Sequence, residues 1–316
     1  MTCTTLFAGA TLCVAGNLNR DMRIAPVTPG DYLLQDGETS VPWMHETTGG
    51  GGANTACAAA ALGAKVAFLG KVGADPLGQR LEEVLVRQGI EPHLARDPAI
   101  ATGTSINLVY NTGRRHFVSC LPNNESLTLA DLNLSLLGRY EHLCRTDVWF
   151  SESMLYGGNA RLFRAAREAG VSVSIDLNWD PKWGVSAPDD VARRKQAIRE
   201  VLPLVDLVHG NVRELNEFAG CPDLKETLRR IVAWGARSIV LHMGAAGAGY
   251  FDGEELTVEP PVTPARHVNV TGTGDVLSVC MMLQHRRPGP VRDKLRLANT
   301  IFSHYLEGTY KLFPVL

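Results

Sequence analysis

The sequence lacks both long apolar runs and an excess of charge of one sign. No apolar run approaches the about 20 residues that a membrane-spanning helix needs. The 31 basic and 33 acidic residues give a net charge of −2, without a block of like charges. We therefore expect neither nucleic acid nor a membrane as a partner. The 316 residues, 45% of them apolar, are enough to bury a large core in an ordinary globular protein.

Paired cysteines are also missing. The seven cysteines are scattered, odd in number and never spaced as Cys-x-x-Cys. This pattern is typical of reduced thiols and predicts a cytoplasmic protein. The apolar segment Leu6–Gly16 has no basic stretch before it and leads into a predicted strand. We therefore interpret it as part of the fold rather than as an export signal.

Several well-known cofactor and catalytic motifs are absent. A Gly-x-x-x-x-Gly-Lys-Ser/Thr loop is excluded, because Gly70-Lys71 is followed by Val72 and Lys65 takes the place of the first glycine. The glycine run 49–52 follows a poor strand, which disfavours a dinucleotide fingerprint. The nine histidines show no zinc-binding spacing, and there is no Gly-x-Ser-x-Gly elbow. Any ligand site must therefore use glycine turns and spaced polar residues.

What the sequence does contain is a regular alternation of apolar strands and amphipathic helices. The predicted strands are 11–16, 65–70, 148–150, 171–175, 204–208 and 238–241, and the predicted helices are 53–62, 75–88, 159–169, 189–202, 212–219 and 224–234. This alternation predicts an α/β fold with a mostly parallel, doubly wound sheet and helices on both faces. No repeat or linker divides the chain, so we expect a single domain over residues 1–316.

Two segments fall outside this alternation. Residues 17–48 are polar, interrupted by proline and glycine, and too long for a plain loop. Residues 102–120 contain two short alternating strands around Asn111-Thr112-Gly113, which is typical of a β-hairpin. Together the two segments predict a small β lid.

The most informative motif lies near the carboxyl end, where Gly272-Thr273-Gly274-Asp275 precedes the apolar run 276–283. A glycine turn that opens a helix leaves backbone N–H groups available to an anion, and the helix dipole favours negative charge there. A carboxylate suits such a site if it accepts a proton from a hydroxyl that attacks a bound phosphate. The alternative is a plain N-cap aspartate on a buried helix.

Other polar residues follow the ends of predicted strands. Parallel strands of an open α/β sheet end at one edge, and ligands bind at that edge. The residues concerned are Asn19 and Asp21, Gly49–Asn54, Glu152, Asp176–Asn178, Asn211 and Glu214, and Gly244–Gly247. Each of these six groups alone is compatible with a cap or a turn. Together with Asp275, however, they are seven groups predicted at one edge of the sheet. This predicts a ligand site.

On these motifs the chain resembles the ribokinase-like carbohydrate kinases, the phosphofructokinase B group. One signature is the glycine run 49–52 followed by Ala53-Asn54 and later by Gly70–Gly78, and the other is Gly272–Asp275. Asn211-Val212-Arg213-Glu214 fits the Asn-x-x-Glu element of the family. The resemblance implies a ribokinase-like three-layer α/β/α sandwich. It also implies ATP-dependent phosphorylation of a hydroxyl on a small sugar or sugar derivative.

The resemblance implies a role for each matching position. Asp275 would be the catalytic base, and Gly272, Thr273 and Gly274 would form the anion hole. Asn19, Asp21, Gly50, Asn54 and Glu152 would bind the sugar, Asn178, Gly244, Gly247 and Asn299 would bind ATP, and Asn211 and Glu214 would hold Mg²⁺. Residues 17–48 and 102–120 would close over the sugar and exclude water. Exposed lid strands would also allow a homodimer.

The sequence departs from the family pattern at three positions. Asn269 stands where many members carry an aspartate that helps to bind a monovalent cation, which puts K⁺ activation in doubt. Asp180 replaces an arginine, and His242 a threonine, near the expected nucleotide site. Two other functions stay open: a nucleoside kinase, with Phe117 or Trp43 against the base, and a catalytically silent sugar- or nucleotide-binding protein.

Overall fold

The computed structural model describes residues 5–266, 272–314 and 316. Its strands are β1 (Thr11–Ala15), β2 (Asn19–Val27), β3 (Trp43–Gly49), β4 (Lys65–Gly73), β5 (Ile90–Asp97), β6 (Thr104–Tyr110), β7 (Arg115–Cys120), β8 (His142–Arg145), β9 (Ser172–Asp176), β10 (Leu207–Asn211), β11 (Ser238–His242), β12 (Ala248–Phe251) and β13 (Leu256–Glu259). Its α-helices are α1 (Gly51–Ala61), α2 (Pro76–Arg87), α3 (Pro122–Glu125), α4 (Asn159–Glu168), α5 (Pro188–Arg199), α6 (Val212–Ala219), α7 (Leu224–Ala233), α8 (Thr273–Leu283) and α9 (Val291–Leu306).

The central sheet has nine strands in the order β13-β12-β11-β10-β9-β8-β1-β4-β5. The strands from β11 to β5 are parallel, whereas β12 pairs antiparallel with both of its neighbours. Helices pack on both faces, as short apolar strands buried on both sides require. The predicted α/β class with a mostly parallel sheet is confirmed.

The direction in which the chain crosses the sheet reverses at β1. From β1 the chain continues to β4 and β5 on one side, whereas β8 to β13 lie on the other side. The carboxyl ends of β1 and β8 therefore flank a crevice of the kind in which open α/β sheets bind ligands. Helix α1 begins there, and a Cβ on Gly52 would lie only 2.7 Å from the Cα of Gly16. Two glycines thus allow the first turn of α1 to touch the end of β1.

Helices α1 and α8 are both deeply buried on one face of the sheet. Helix α1 is rich in alanine, which lets it pack closely, and in α8 every residue from Val276 to Leu283 is buried. The two helices contact each other along this face. Their first turns are therefore fixed relative to each other and to the end of β1.

Strands β2, β3, β6 and β7 form a second, four-stranded sheet, which we call the lid. Its order is β3-β2-β6-β7, with a parallel β2–β6 pair between two antiparallel pairs. The strands come from the two segments outside the regular alternation, in agreement with the predicted β lid. Strand β7 is an edge strand whose residues are all exposed.

Two of the predicted strands are misplaced. Residues 148–150 form a turn, and the strand of this region is β8, which ends at Arg145. Val148 and Trp149 are buried apolar residues of this turn, and the positive φ of 54° at Asp147 turns the chain before them. The strand predicted at 204–208 begins only at Leu207, after a 3₁₀ turn. Strands β5, β12 and β13 are not predicted from the sequence.

Candidate active site

The first turn of α8 carries the predicted base and anion hole. Gly272 caps this helix in the left-handed conformation, with φ 74°, and Asp275 lies in its first turn. Gly274 faces His242, since a Cβ at Gly274 would lie 2.9 Å from the His242 Nδ1 atom. The sequence pattern therefore produces the helix terminus that anion binding needs, with its first N–H groups unpaired within the helix.

Asp275 is a half-buried carboxylate whose surroundings oppose its ionisation. Burial, and then the negative charge of Asp147, raise the pKa of Asp275 to about 8, while a side-chain hydrogen bond from Asn54 acts to lower it. The charge of Glu214 raises it further. A carboxyl group with a pKa near neutrality is suited to exchange a proton with a substrate hydroxyl.

Asp147 is a site residue that the sequence reasoning missed. Its carboxylate accepts hydrogen bonds from the backbone N–H groups of Asn17 (3.0 Å), Gly51 (3.3 Å) and Gly52 (2.9 Å), and from the Thr146 hydroxyl (2.7 Å). It thus ties the end of β8 to the start of α1, where the helix dipole favours a negative charge. The signal that could have found it is a Thr-Asp pair directly after a strand, but only with β8 placed correctly.

The predicted sugar-binding residues of the lid meet at the same place. The Asn19 Nδ2 atom donates to the Asp21 Oδ1 atom at 2.8 Å. Burial raises the pKa of Asp21 to about 6, the bond from Asn19 opposes this, and Asp147 adds to it. Gly50 has φ 95°, and a Cβ there would overlap the Asn17 carbonyl. Asn19, Asp21 and Gly50 therefore lie with Asn54 close to the two carboxylates Asp147 and Asp275, which we call the Asp147–Asp275 pair.

The ion pair of Glu152 is with Arg194 and not with a member of this cluster. Its side chain is 71% exposed and lies 3.8 Å from the Arg194 Nη1 atom. It lines a separate cavity of about 360 Å³ together with Trp149, Lys182 and Ser119 at the end of β7. The reason is the misplaced strand: with β8 ending at Arg145, Asp147 and not Glu152 follows the strand end.

The predicted metal residues form the start of α6. Asn211 Oδ1 accepts from the Glu214 N–H, and Glu214 Oε2 accepts from the Asn211 N–H, both at 2.9 Å. Burial raises the pKa of Glu214, against these hydrogen bonds. Burial, and then the charges of Glu214 and Asp275, raise the pKa of Asp176 well above its usual range. Carboxyl groups that repel one another in this way fit a site for a cation.

Within the described residues, no group of three or more histidine, cysteine or acidic side chains is arranged to hold a metal ion directly. That Asn211 and Glu214 hold Mg²⁺ through water stays a prediction, which rests on the reluctance of Mg²⁺ to give up its water. Asn269, on which the expectation about K⁺ rests, lies outside the described residues.

A cavity of about 240 Å³ joins the predicted nucleotide, metal and anion residues. Its lining includes Asn211, Gly244, Gly247, Thr273, Gly274 and Asn299. The Asn299 Nδ2 atom donates to the carbonyls of Glu259 (3.0 Å) and Pro260 (2.8 Å), so this amide holds the wall of the cavity after β13. Asn178 is not in that lining but follows β9 at the same sheet edge, with φ 41°.

The structure shows what surrounds His242 and Asp180, two of the positions that depart from the family pattern. His242 lines the same cavity, its Nε2 atom lies 2.9 Å from the Ser278 Oγ atom, and burial lowers its pKa to about 4. Asp180 is fully buried and pairs with Arg194 at 2.7 Å. His242 is therefore neutral, and the charge of Asp180 is compensated within the fold.

Curated relatives share about a quarter of their residues with this chain. A fructokinase of Vibrio alginolyticus is 26% identical over 249 residues, 77% of each chain. A cytidine kinase of Thermococcus kodakarensis is 23% identical over 257 residues, covering 79% of this chain and 84% of the relative.

Solved structures agree with the fold. Arabidopsis thaliana ribokinase complexed with ribose and ATP superposes with a TM-score of 0.75 at 19% identity, covering 94% of this chain and 93% of that one. A candidate ribokinase II from E. coli in complex with ATP and Mg²⁺ gives a TM-score of 0.78 at 18% identity, with the same coverage of both chains. The fold is ribokinase-like.

The described residues include no helix long and apolar enough to span a membrane. The sequence model described as pfkB family carbohydrate kinase matches residues 10–303. Together with the aspartate in the first turn of α8 and the cavity beside it, this match identifies the chain as a member of the pfkB family of carbohydrate kinases.

Proposed function

We propose that the protein transfers the γ-phosphate of ATP to a hydroxyl of a small sugar or sugar derivative. The observation that carries this proposal is Asp275 in the first turn of α8, next to Gly274 in a cavity that is also lined by Asn211, Gly244 and Asn299. Phosphoryl transfer needs positioning, oriented donors and a base rather than a covalent nucleophile. This set of groups supplies those parts in one place.

In this proposal the backbone N–H groups of Gly272, Thr273 and Gly274 stabilise the charge of the transferring phosphoryl group. Asp275 takes the proton of the attacking hydroxyl, and its pKa of about 8 makes it a stronger base than an ordinary aspartate. Asn211 and Glu214 would hold Mg²⁺ through water, with Asp176 facing the same charge. When bound, the metal neutralises negative charge on the phosphates.

The sugar would lie between the lid and the start of α1. Asn19, Asp21, Gly50 and Asn54 surround the Asp147–Asp275 pair, and polar groups in such a site orient hydroxyls and select between sugars. Asn178, Gly244, Gly247 and Asn299 remain the proposed ATP residues. Asp147 acts as a positioning residue in this scheme, because its contacts with Asn17, Gly51 and Gly52 fix the floor of the site.

Two alternatives follow from particular observations. The similarity to a cytidine kinase supports a nucleoside as the acceptor. Phe117 on β7 is 48% exposed, and Trp43 stacks on His45 with ring centroids 4.7 Å apart. Both belong to strands of the lid, where a base could be stacked. A silent binding protein would keep the cavity and lack turnover.

We also propose a single kinase domain over residues 1–316 with a lid in segments 17–48 and 102–120, acting in the cytoplasm. A homodimer through the lid is part of the proposal, because β7 is an exposed edge strand that can pair with a second copy. Neither nucleic acid nor a membrane is a proposed partner.

The decisive experiment is ADP release from Mg-ATP over a panel of pentoses, hexoses, sugar acids, sugar phosphates and nucleosides, with and without K⁺. Asp275→Asn should lower kcat by several orders of magnitude on the accepted substrate, whereas Asp293→Asn, at a 63% exposed side chain on α9, should not. Acceptance of a nucleoside alone would favour the nucleoside kinase. Binding of ATP without turnover on any acceptor would favour the silent protein.

A further inference from the structure

A second polar groove lies at the opposite edge of the central sheet, where β8 and β9 begin. It consists of two cavities of about 300 and 350 Å³ that share Arg286. The first is also lined by Thr11, Glu141 and His142, and the second by Asp206 and His285. Each cavity is within the size range of small-molecule sites. We call the two together the basal groove.

The basal groove carries an excess of positive charge in a protein of net charge −2. Its arginines are Arg167, Arg237, Arg286 and Arg287, and its acids are Glu141 and Asp206. Asp206 pairs with Arg167 at 2.7 Å and with Arg237 at 3.0 Å. One carboxylate thus faces two guanidinium groups, and the groove keeps cationic donors that this carboxylate does not neutralise.

Arg286 is held in place at the junction of the two cavities. Its Nε atom donates to the Ser172 hydroxyl at 2.8 Å, and its Nη2 atom donates to the Gly170 carbonyl at 2.6 Å. Ser172 is the strand partner of His142 in the β8–β9 ladder. The guanidinium group is therefore positioned next to the strand residue that bears the buried imidazole.

His142 is the residue that indicates a ligand. It is 3% exposed and lines the first cavity, yet neither of its ring nitrogens has a hydrogen-bond partner among the described residues. Burial, and then the neighbouring His285, lower the pKa of His142 to about 3, so the ring is neutral. It offers one donor and one acceptor, and burying both without partners is costly.

We propose that the basal groove binds a phosphate-bearing anion, which accepts hydrogen bonds from His142 and from the arginines around Arg286. Phosphate suits this donor set, because its oxygens can accept from several guanidinium N–H groups and from an imidazole N–H together. This site is separate from the proposed kinase site and does not depend on it.

The basal groove also lies at the far end of the helix that carries the proposed base. Met282 and Leu283, the last residues of α8, line the first cavity, while Thr273 and Gly274, its first residues, line the nucleotide cavity. A ligand at one end of this buried helix contacts the same rigid element as a ligand at the other end.

The test is isothermal titration calorimetry of the whole protein with inorganic phosphate. A saturating non-hydrolysable ATP analogue with Mg²⁺ occupies the nucleotide cavity, and chloride at equal ionic strength is the blank. Parallel titrations with sulfate and with a phosphate monoester distinguish free phosphate from a phosphorylated metabolite. We expect one site per chain that persists with the analogue bound.

Three variants make the assignment specific. Arg237→Gln, at a side chain 59% exposed, and His142→Phe, which keeps an aromatic ring against His285, should each weaken phosphate binding about tenfold or more. Arg229→Gln, at an exposed position on α7, should leave it unchanged. Absence of binding, displacement by the ATP analogue, or equal loss in all three variants would overturn the proposal. Unchanged binding in a folded His142→Phe protein would overturn the role of the imidazole.

Discussion

The side-chain amide of Asn54 donates a hydrogen bond to the carboxylate of Asp275, so the first turns of α1 and α8 meet at one acidic group. Asp147 stands close enough to add its charge, and it caps α1 through Gly51 and Gly52. The proposed base is therefore held between two helix starts. This arrangement explains why its pKa depends on groups far apart in the sequence.

The first prediction concerns stability. The folded-state pKa of Asp275, about 8, is above the about 4 of an unfolded aspartate. Its contribution to stability is thus fully present below pH about 4 and is lost as the pH rises through about 8. Asp275→Asn removes this loss and should raise Tm more at pH 8.5 than at pH 5. Thermal melts of both proteins test this, and an equal change at both pH values would contradict the raised pKa of Asp275.

The second prediction concerns Asp147. Asp147→Ala leaves three backbone N–H groups and a hydroxyl without their acceptor and should cost about 3 kcal/mol or more. Asp223→Ala is the matched control, because Asp223 caps α7 at an exposed position and its loss should cost about 1 kcal/mol. Urea unfolding measures both. Equal losses would mean that Asp147 is an ordinary cap.

The third prediction separates Asp147 from Glu152. Glu152→Gln alters a side chain that is 71% exposed and outside the Asp275 cluster, and kcat/KM should change less than threefold. Asp147→Asn keeps the shape but removes the charge that raises the pKa of Asp275. The acid limb of its pH–rate profile should therefore move to lower pH. A large loss of activity in Glu152→Gln would instead support the sequence-based assignment of Glu152 to the sugar site.

The fourth prediction concerns Gly50. Gly50→Ala forces a Cβ against the Asn17 carbonyl in addition to a positive φ. It should lower the equilibrium constant of folding and kcat/KM, each by about tenfold or more. Gly89→Ala has a similar φ of 75° with nothing within 4 Å, so it bears only the left-handed strain of about 1–2 kcal/mol. Unfolding and steady-state kinetics compare the two. Similar effects of both variants on kcat/KM would mean that Gly50 is not part of the site.

The fifth prediction concerns the metal. Glu214→Gln preserves the cap on α6 but removes a charge that would attract Mg²⁺, so the Mg²⁺ concentration for half-maximal rate should rise about tenfold at saturating ATP. Glu217→Gln, one turn later in the same helix and paired with Lys195 at 2.8 Å, should leave it unchanged. If the two variants behave alike, Glu214 has only its structural role.

The sequence by itself determined the features that depend on local chemistry. A glycine turn before an apolar run defines the start of α8, and Asn211 with Glu214 defines the start of α6, because each pattern is a local cap. The alternation of apolar strands and amphipathic helices likewise predicts the parallel sheet, since each element must bury one face.

Only the tertiary structure decided which side chains reach the site. Strand β8 has just two clearly apolar residues, since His142 and Arg145 are buried within it, and Arg145 is satisfied by Asn159 and backbone carbonyls. A prediction from apolar runs therefore misses β8 and places a strand at Val148-Trp149 instead. The predicted strand then ends later in the chain, so that Glu152 is chosen as the residue after the strand and Asp147 is missed. Long-range hydrogen bonds of a buried polar group leave no local signal, and these bonds place Asp147 in the site.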